Sequence, residues 1–195
     1  MGNRTWKARI FAATSLDGFI ARKNNDILWL TQPKPNAEHI PPTTAKKTPT
    51  FEQHMSEVDF IVMGRETYEV CLAFPEWPYP TDKNLLVLST TLQSPASNGP
   101  QRSRIVASLE ELEKILAEEE AKMLYVDGGK TVQEFLRRGW IDELVYTHTP
   151  VLLGGGRPLF ADLPGDVHFT LRGVDVIENG MVTSYYHVSR GKEQQ

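Results

Sequence analysis

Two short stretches carry residue types able to hold an anion. In one, Phe60-Ile61-Val62-Met63 runs into Gly64-Arg65-Glu66-Thr67. In the other, Met123-Leu124-Tyr125-Val126 runs into Asp127-Gly128-Gly129-Lys130-Thr131. An unbroken apolar run reads as a strand buried on both faces. Helical spacing follows each glycine, at Tyr68 and Leu72 in the first and at Val132, Phe135 and Leu136 in the second. Each unit is therefore predicted as strand, glycine turn and helix start. Such a turn aims unpaired N–H groups at the carboxyl edge of a sheet, where an anion is stabilised, and Arg65 can grip a phosphate through two N–H groups. A buried strand trailed by a surface arginine explains the first stretch equally well. A nucleotide triphosphatase loop is not expected in the second, because the position five before Gly129, where that loop needs glycine, is Leu124. A pyrophosphate lying against the di-glycine is the simpler reading.

Other candidates are weaker taken singly. Ser15-Leu16-Asp17-Gly18 breaks the first apolar run and places a carboxylate in a loop over the sheet edge, where open α/β sheets bind ligands; a plain turn fits too. Ser89-Thr90-Thr91 ends another apolar run with hydroxyls that bind phosphate or cap a turn, and Gly154-Gly155-Gly156-Arg157 reads as a second anion clamp or a flexible turn. The histidines His39, His54, His148, His168 and His187 lack metal-ligand spacing, so no metal site is expected. Cys71, the single cysteine, sits at helical spacing and reads as a buried core residue.

The elements that must position these groups alternate strand and helix along one predicted domain, residues 1–195 of the 195-residue chain. Thr31 to Thr50 carries five prolines and reads as an irregular loop. Ser108 and Glu111 form a capping-box signature ahead of Leu109, Leu112, Ile115 and Leu116, with glutamates on the opposite, solvated face. Glu178-Asn179-Gly180 between two alternating segments predicts a closing antiparallel hairpin. A net charge of −4 and a pI near 5.8 argue against nucleic acid or an anionic membrane as partner. No apolar run approaches a membrane span, and the N-terminus lacks a signal-peptide core, so a cytoplasmic protein is expected.

Taken in order, Ala13, Asp17-Gly18-Phe19-Ile20-Ala21, the Trp29 island, Val62-Met63-Gly64-Arg65-Glu66-Thr67-Tyr68, Leu88-Ser89 and Val126-Asp127-Gly128-Gly129 resemble the dihydrofolate reductase-like superfamily over nearly the whole chain. Ser15 to Ala21 and Val151 to Phe160 are more similar to the reductase domain of bacterial riboflavin biosynthesis and its small stand-alone relatives than to folate reductases. The resemblance implies an α/β three-layer sandwich: a mostly parallel eight-stranded sheet, an antiparallel C-terminal strand and helices on both faces. It implies NADPH along the sheet's carboxyl edge. Ala13 and Ile20 would flank the nicotinamide, with Gly64, Arg65 and Thr67 at the adenosine-side phosphates and Ser89 and Thr90 beside the 2′-phosphate. Gly128, Gly129, Lys130 and Thr131 would cradle the pyrophosphate, and Trp29 and Thr147 would border the substrate.

Two departures bear on substrate. Folate reductases carry an acid in the helix before this Met-Gly-Arg strand, at the position of Thr48 here, and a tyrosine at the position of Val132. Without the acid a pterin ring loses its protonating group, so dihydrofolate is an unexpected substrate. The expectation is an NADPH-dependent reductase acting on a small heterocyclic or carbonyl compound, phosphorylated or not, as a homodimer, with Asp17 the best-placed acid. The alternative is a homodimeric nucleotide-binding protein that kept the fold and lost the chemistry, its dimer surface built from Trp77, Tyr79, Trp140, Tyr185 and Tyr186.

Overall fold

The computed structural model describes residues 4–31, 47–177 and 180–189. Most of the proline-rich loop and two residues of the expected hairpin turn, Glu178 and Asn179, lie outside them. In chain order the elements are β1 (Lys7–Ser15), β2 (Phe19–Ala21), α1 (Leu28–Thr31), α2 (Phe51–Glu57), β3 (Phe60–Gly64), α3 (Arg65–Leu72), β4 (Asn84–Leu88), β5 (Ser103–Val106), α4 (Leu109–Glu118), β6 (Met123–Asp127), α5 (Gly129–Arg137), β7 (Glu143–Thr149), β8 (Arg157–Pro158), β9 (Phe169–Val176) and β10 (Val182–Val188).

Eight strands form one sheet in the order β5-β4-β3-β6-β1-β7-β10-β9. Neighbours from β5 to β7 are parallel, and only β10 runs against them, between β7 and β9. This is the mostly parallel sheet with a reversed C-terminal strand that the resemblance implies. The two-residue β8 pairs with β2 outside the main sheet.

Strand alternation sorts the apolar runs into two layers. Phe60, Val62, Leu124 and Val126 pack with Leu112 and Leu116 of α4 and with Val132 and Phe135 of α5. Ile61, Met63 and Tyr125 pack on the other face with Met55 of α2 and Tyr68 of α3. A continuous apolar run is what a strand covered by helices on both faces requires. Both capped helices start as their sequences dictate. Ser108 Oγ accepts the Glu111 N–H at 3.1 Å. For α2, Thr50 Oγ1 accepts from Gln53 N and the Gln53 side chain accepts from Thr50 N.

Under α2 lies a buried charged group. The Arg9 guanidinium meets Glu143 Oε2 at 2.6 Å through Nε and Glu57 Oε2 at 2.8 Å through Nη2, and its Nη1 faces His54 Nδ1 at 3.3 Å. Tyr185 O–H adds a bond to Glu143 at 2.9 Å. These partners let an arginine sit almost wholly inside the fold.

The connections leaving β3 and β6 set up the site. From β3 the chain passes through α3 to β4 on one side, and from β6 through α5 to β7 on the other. Because β3 and β6 are neighbours, with Met63 beside Asp127, this reversal opens a crevice at their carboxyl ends.

Candidate functional site

Both glycine-led junctions open on that crevice. Gly64 and Gly128 are the N-caps of α3 and α5, and neither helix start has a side-chain cap. The first N–H groups of two adjacent helices are thus left for another acceptor, whereas Thr50 and Ser108 satisfy those of α2 and α4.

The glycines also set how closely the junctions pack. Gly128 holds φ +87°, and a Cβ there would lie 2.1 Å from Thr67 Oγ1. A Cβ on Gly64 would come within 3.1 Å of Thr131 Oγ1, and one on Gly129 within 2.4 Å of the Pro158 carbonyl oxygen. So β8 closes over α5, held further by Gln133 Nε2, which donates to that carbonyl at 3.2 Å.

The crevice widens into a cleft of about 1130 Å³ that runs from Ser89 and Thr90, across the two helix starts, to Phe11, Phe51 and Leu30. Every residue the resemblance assigned to the cofactor lines it: Ala13, Ile20, Gly64, Arg65, Thr67, Ser89, Thr90, Gly128, Gly129, Lys130 and Thr131. The cleft's cations hold acids. Lys130 Nζ reaches Glu66 at 2.8 Å, Arg157 reaches Glu66 at 3.8 Å, and Arg65 donates to Glu69 at 2.7 Å and Thr91 at 2.8 Å. The Lys130 hydrogen bond, with the nearby arginines, holds the Glu66 carboxyl below its ordinary range. Exposed pairs of this kind are worth at most about 1 kcal/mol, so a phosphate can take over the cations at little cost.

Asp17, Trp29 and Thr147 fall outside the cleft lining. The Asp17 carboxylate accepts from Ser15 Oγ at 2.6 Å, Leu153 N at 3.1 Å and Gly154 N at 2.7 Å, tying the end of β1 to the glycine loop. The Ser15 bond and those backbone N–H groups lower its pKa. Asp17→Ala is therefore expected to expose residues 153–156 to limited proteolysis while shifting the denaturation midpoint little; unchanged cleavage would count against the tether. Thr147 is buried and shares a 2.8 Å hydrogen bond with Thr183 across β7 and β10. Trp29 is half-buried in α1, and its Nε1 has no hydrogen-bond partner among the described residues. The triple glycine is a turn whose Gly156 packs on the Ala21 carbonyl, and Arg157 behind it reaches the cleft. Ser89 Oγ accepts from Thr91 N and Leu92 N, so it caps its own turn as well as facing the cleft.

The cleft also holds residues to which the sequence reading gave no part in a ligand site. At its aromatic end Phe11 and Phe51 meet edge-on at 5.6 Å, and Tyr79 and Tyr125 at 5.8 Å. Between this end and the helix starts stands Asp127, whose carboxylate accepts the Tyr79 hydroxyl and, at 2.8 Å, the Gly128 N–H. Burial raises the Asp127 pKa above its ordinary value of 3.8, against the pull of those two bonds. An acid at a strand's carboxyl end beside a di-glycine turn was the available signal. The path that brings Tyr79 to it had none.

The family model described as RibD C-terminal domain matches residues 7–183. The chain is 29% identical over 170 residues to YwjB of Bacillus subtilis (strain 168), covering 86% of this chain and 90% of that one. Among solved structures it superposes on a proposed riboflavin biosynthesis protein from Shewanella sp. PV-4 with a TM-score of 0.80 and 35% identity, over 94% and 99% of the two chains. A Thermotoga maritima diaminohydroxyphosphoribosylaminopyrimidine deaminase/5-amino-6-(5-phosphoribosylamino)uracil reductase shares the fold, with a TM-score of 0.64 and 15% identity, over 95% of this chain and 57% of that one.

Proposed function

The chain belongs to the RibD C-terminal domain family, and from that premise we propose that it is an NADPH-dependent reductase passing hydride to a small heterocyclic or carbonyl acceptor. One observation supports this most: two uncapped, glycine-led helix starts side by side on a cleft of about 1130 Å³. The N–H groups of α3 and α5, with Lys130 and Thr131, hold the pyrophosphate. Arg65, Ser89, Thr90 and Thr91 take the 2′-phosphate, and Ala13 and Ile20 flank the nicotinamide, whose C4 supplies hydride when the cofactor is bound. Phe11, Phe51 and Tyr125 form the wall against which a flat acceptor stacks. A phosphoribosylaminouracil, the substrate class in the name of the Thermotoga maritima protein, is one candidate acceptor.

Fluorescence titration tests the cofactor. NADPH is expected to saturate at sub-millimolar concentration, and a failure to saturate removes the reductase reading. Arg65→Ala should weaken NADPH by about tenfold or more, the worth of a lost charge-assisted bond to phosphate, while moving NADH by less than about threefold. Equal losses would take Arg65 away from the 2′-phosphate.

The rings offered for the dimer surface of a catalytically silent protein are half-buried, each against a neighbouring ring. Trp77 stands against Tyr68, Tyr79 against Tyr125, Trp140 against Trp6 and Phe135, Tyr185 against His187, and Tyr186 against Phe169. For the homodimer we propose the sheet-edge strand β9, with exposed Leu171 and Val174, as the apolar contact. Sedimentation velocity at micromolar concentration checks it, and a monomer there overturns it. No helix among the described residues is long and apolar enough to cross a membrane.

A further inference from the structure

The aromatic wall of the cleft depends on a helix that cannot hold itself. At seven residues α2 makes about two turns, too short to be stable alone, so contacts at its ends fix where its first residue, Phe51, stands. Its last turn is pinned by Glu57 on Arg9. Its first turn is fed by residues 47–50, and these are held from β9, at the edge of the sheet. Asp175 Oδ2 accepts Lys47 N, Thr48 N and the Thr48 hydroxyl at 2.7 Å each, and Oδ1 accepts Lys47 N at 3.0 Å. A carboxylate only 2% exposed is tolerated there because these donors replace water. Beside it, Gly173 lets the segment lie on the strand itself: a Cβ there would stand 2.2 Å from the Lys47 carbonyl oxygen. The β9–β10 register shifts at the same place, between Tyr185, opposite Gly173, and Tyr186, opposite Leu171. Such a bulge bends a strand and re-aims its side chains. Charge, close approach and register thus make one dock on β9 for the chain that enters α2.

We propose that Asp175 is a positioning residue for the acceptor, acting through Phe51; the proposal rests on the reductase reading. Between the dock and the wall stand only Pro49, whose ring fixes its own φ, and Thr50, tied into the capping box with Gln53 at 3.0 and 3.1 Å. Little freedom is left there to absorb a shift at Thr48, so the shift passes to the start of α2. Phe51 lines the cleft, 40% exposed and edge-on to Phe11 at 5.6 Å, and its angle follows from where α2 begins. Asp175, Lys47 and Thr48 themselves fall outside the cleft lining. Their effect is therefore on how tightly a flat acceptor is held against the wall. The proposed cofactor site lies at the starts of α3 and α5, which follow β3 and β6 and do not continue from this segment.

Steady-state kinetics with NADPH and menadione, a flat probe acceptor, compare wild type, Asp175→Asn, Phe51→Ala and the double variant. Asp175→Asn keeps the shape of the side chain but gives up its charge and turns an N–H donor toward other donors. It is expected to raise the menadione KM about fivefold or more, with kcat and the NADPH Kd within about twofold of wild type. In the Phe51→Ala background the same change should raise KM by less than about twofold, because the ring it positions is gone. Thr48→Val removes only the hydroxyl bond. It should move the menadione KM in the same direction by less, and it replaces Asp175→Asn in the cycle if that variant does not fold. Equal KM ratios with and without Phe51 overturn the proposal. So does a menadione KM unchanged in both Asp175→Asn and Thr48→Val, or a loss that falls as heavily on the NADPH Kd. A wild type that holds NADPH without reducing menadione overturns it too. Failure of the wild type to bind NADPH is the separate result that removes the reductase reading itself.

Discussion

Gly128→Ala is expected to destabilise the protein by about 2–5 kcal/mol and to abolish the proposed anion site at the α5 start. Two costs add. An L-residue at φ +87° carries about 1–2 kcal/mol of backbone strain. The new methyl would stand 2.1 Å from Thr67 Oγ1 and 3.2 Å from Thr67 Cβ, so α3 must yield, at the 1–3 kcal/mol typical of overpacking (about that range). The same loss at the low end of ordinary stabilities, about 5 kcal/mol, would unfold the protein. Two controls separate the costs. Gly139→Ala, at φ +65° with nothing within 4 Å of its Cβ, should show backbone strain alone, on the order of 1 kcal/mol. Adding Thr67→Ala to Gly128→Ala removes the Oγ1 clash and should return stability that the single changes do not predict, a coupling of about 1–3 kcal/mol. Urea midpoints of wild type, the three single variants (Gly128→Ala, Gly139→Ala and Thr67→Ala) and the double variant measure this. A Gly128→Ala protein within about 0.5 kcal/mol of wild type, the usual scatter of a neutral surface change, would show that the junctions do not need their close approach.

That glycine was legible in the sequence for a different reason than the one the structure gives. A strand run, a di-glycine and a helical face locate the junction, but they place the glycine opposite an anion. In the fold, Gly128 faces Thr67 from the other junction, a contact that exists only because β3 and β6 are neighbours. The local units were readable because each is written in consecutive residues: the apolar runs of β3 and β6, the Ser108 cap and the glycine stop of α5 at Gly139. Features set by register were not. Thr147 was expected at the substrate, yet its register against β10 turns it to Thr183. Asp17 was the best-placed acid because it sits over the sheet edge, yet its carboxylate accepts two backbone N–H groups from a loop more than 130 residues on. Tyr79 lay in an aromatic, proline-broken stretch that reads only as a loop. Its approach to Asp127 depends on how that loop folds back over α3.

His54 shows the same gap between residue type and environment, and it carries the second large effect. Its side chain is 0% exposed, stacked on Phe11 at 5.0 Å and edge-on to Tyr125 at 4.7 Å, with Nδ1 facing the Arg9 guanidinium. Burial first, and then the Arg9 charge, push its pKa down to about 3 from the ordinary 6.5. The unfolded chain therefore takes up a proton first as the solution is acidified. The stability His54 contributes is whole above pH 6.5 and is lost as pH falls toward about 3. At about 1.4 kcal/mol per pH unit for one proton, roughly 2 kcal/mol is lost between pH 6.5 and 5, and on the order of 4–5 kcal/mol by pH 3. Carboxylates held low, such as Asp17, Glu66 and Asp175, act mainly below their ordinary values of 3.8 to 4.5, so the interval from pH 7 to 5 isolates the histidine from them. Asp127, whose pKa is raised, works in the opposite direction there, and it cancels when two proteins that both contain it are compared. His54→Gln keeps an uncharged acceptor for Arg9 and cannot take a proton. Its urea stability should be lower than wild type at pH 7, from lost stacking, but should fall by about 2 kcal/mol less between pH 7 and 5. Parallel losses in the two proteins would show that His54 titrates normally and is open to water. Because His54 lies directly beneath Phe11, protonating it loosens the wall of the cleft along with α2. Acceptor binding is then expected to weaken on acidification before the sheet itself unfolds.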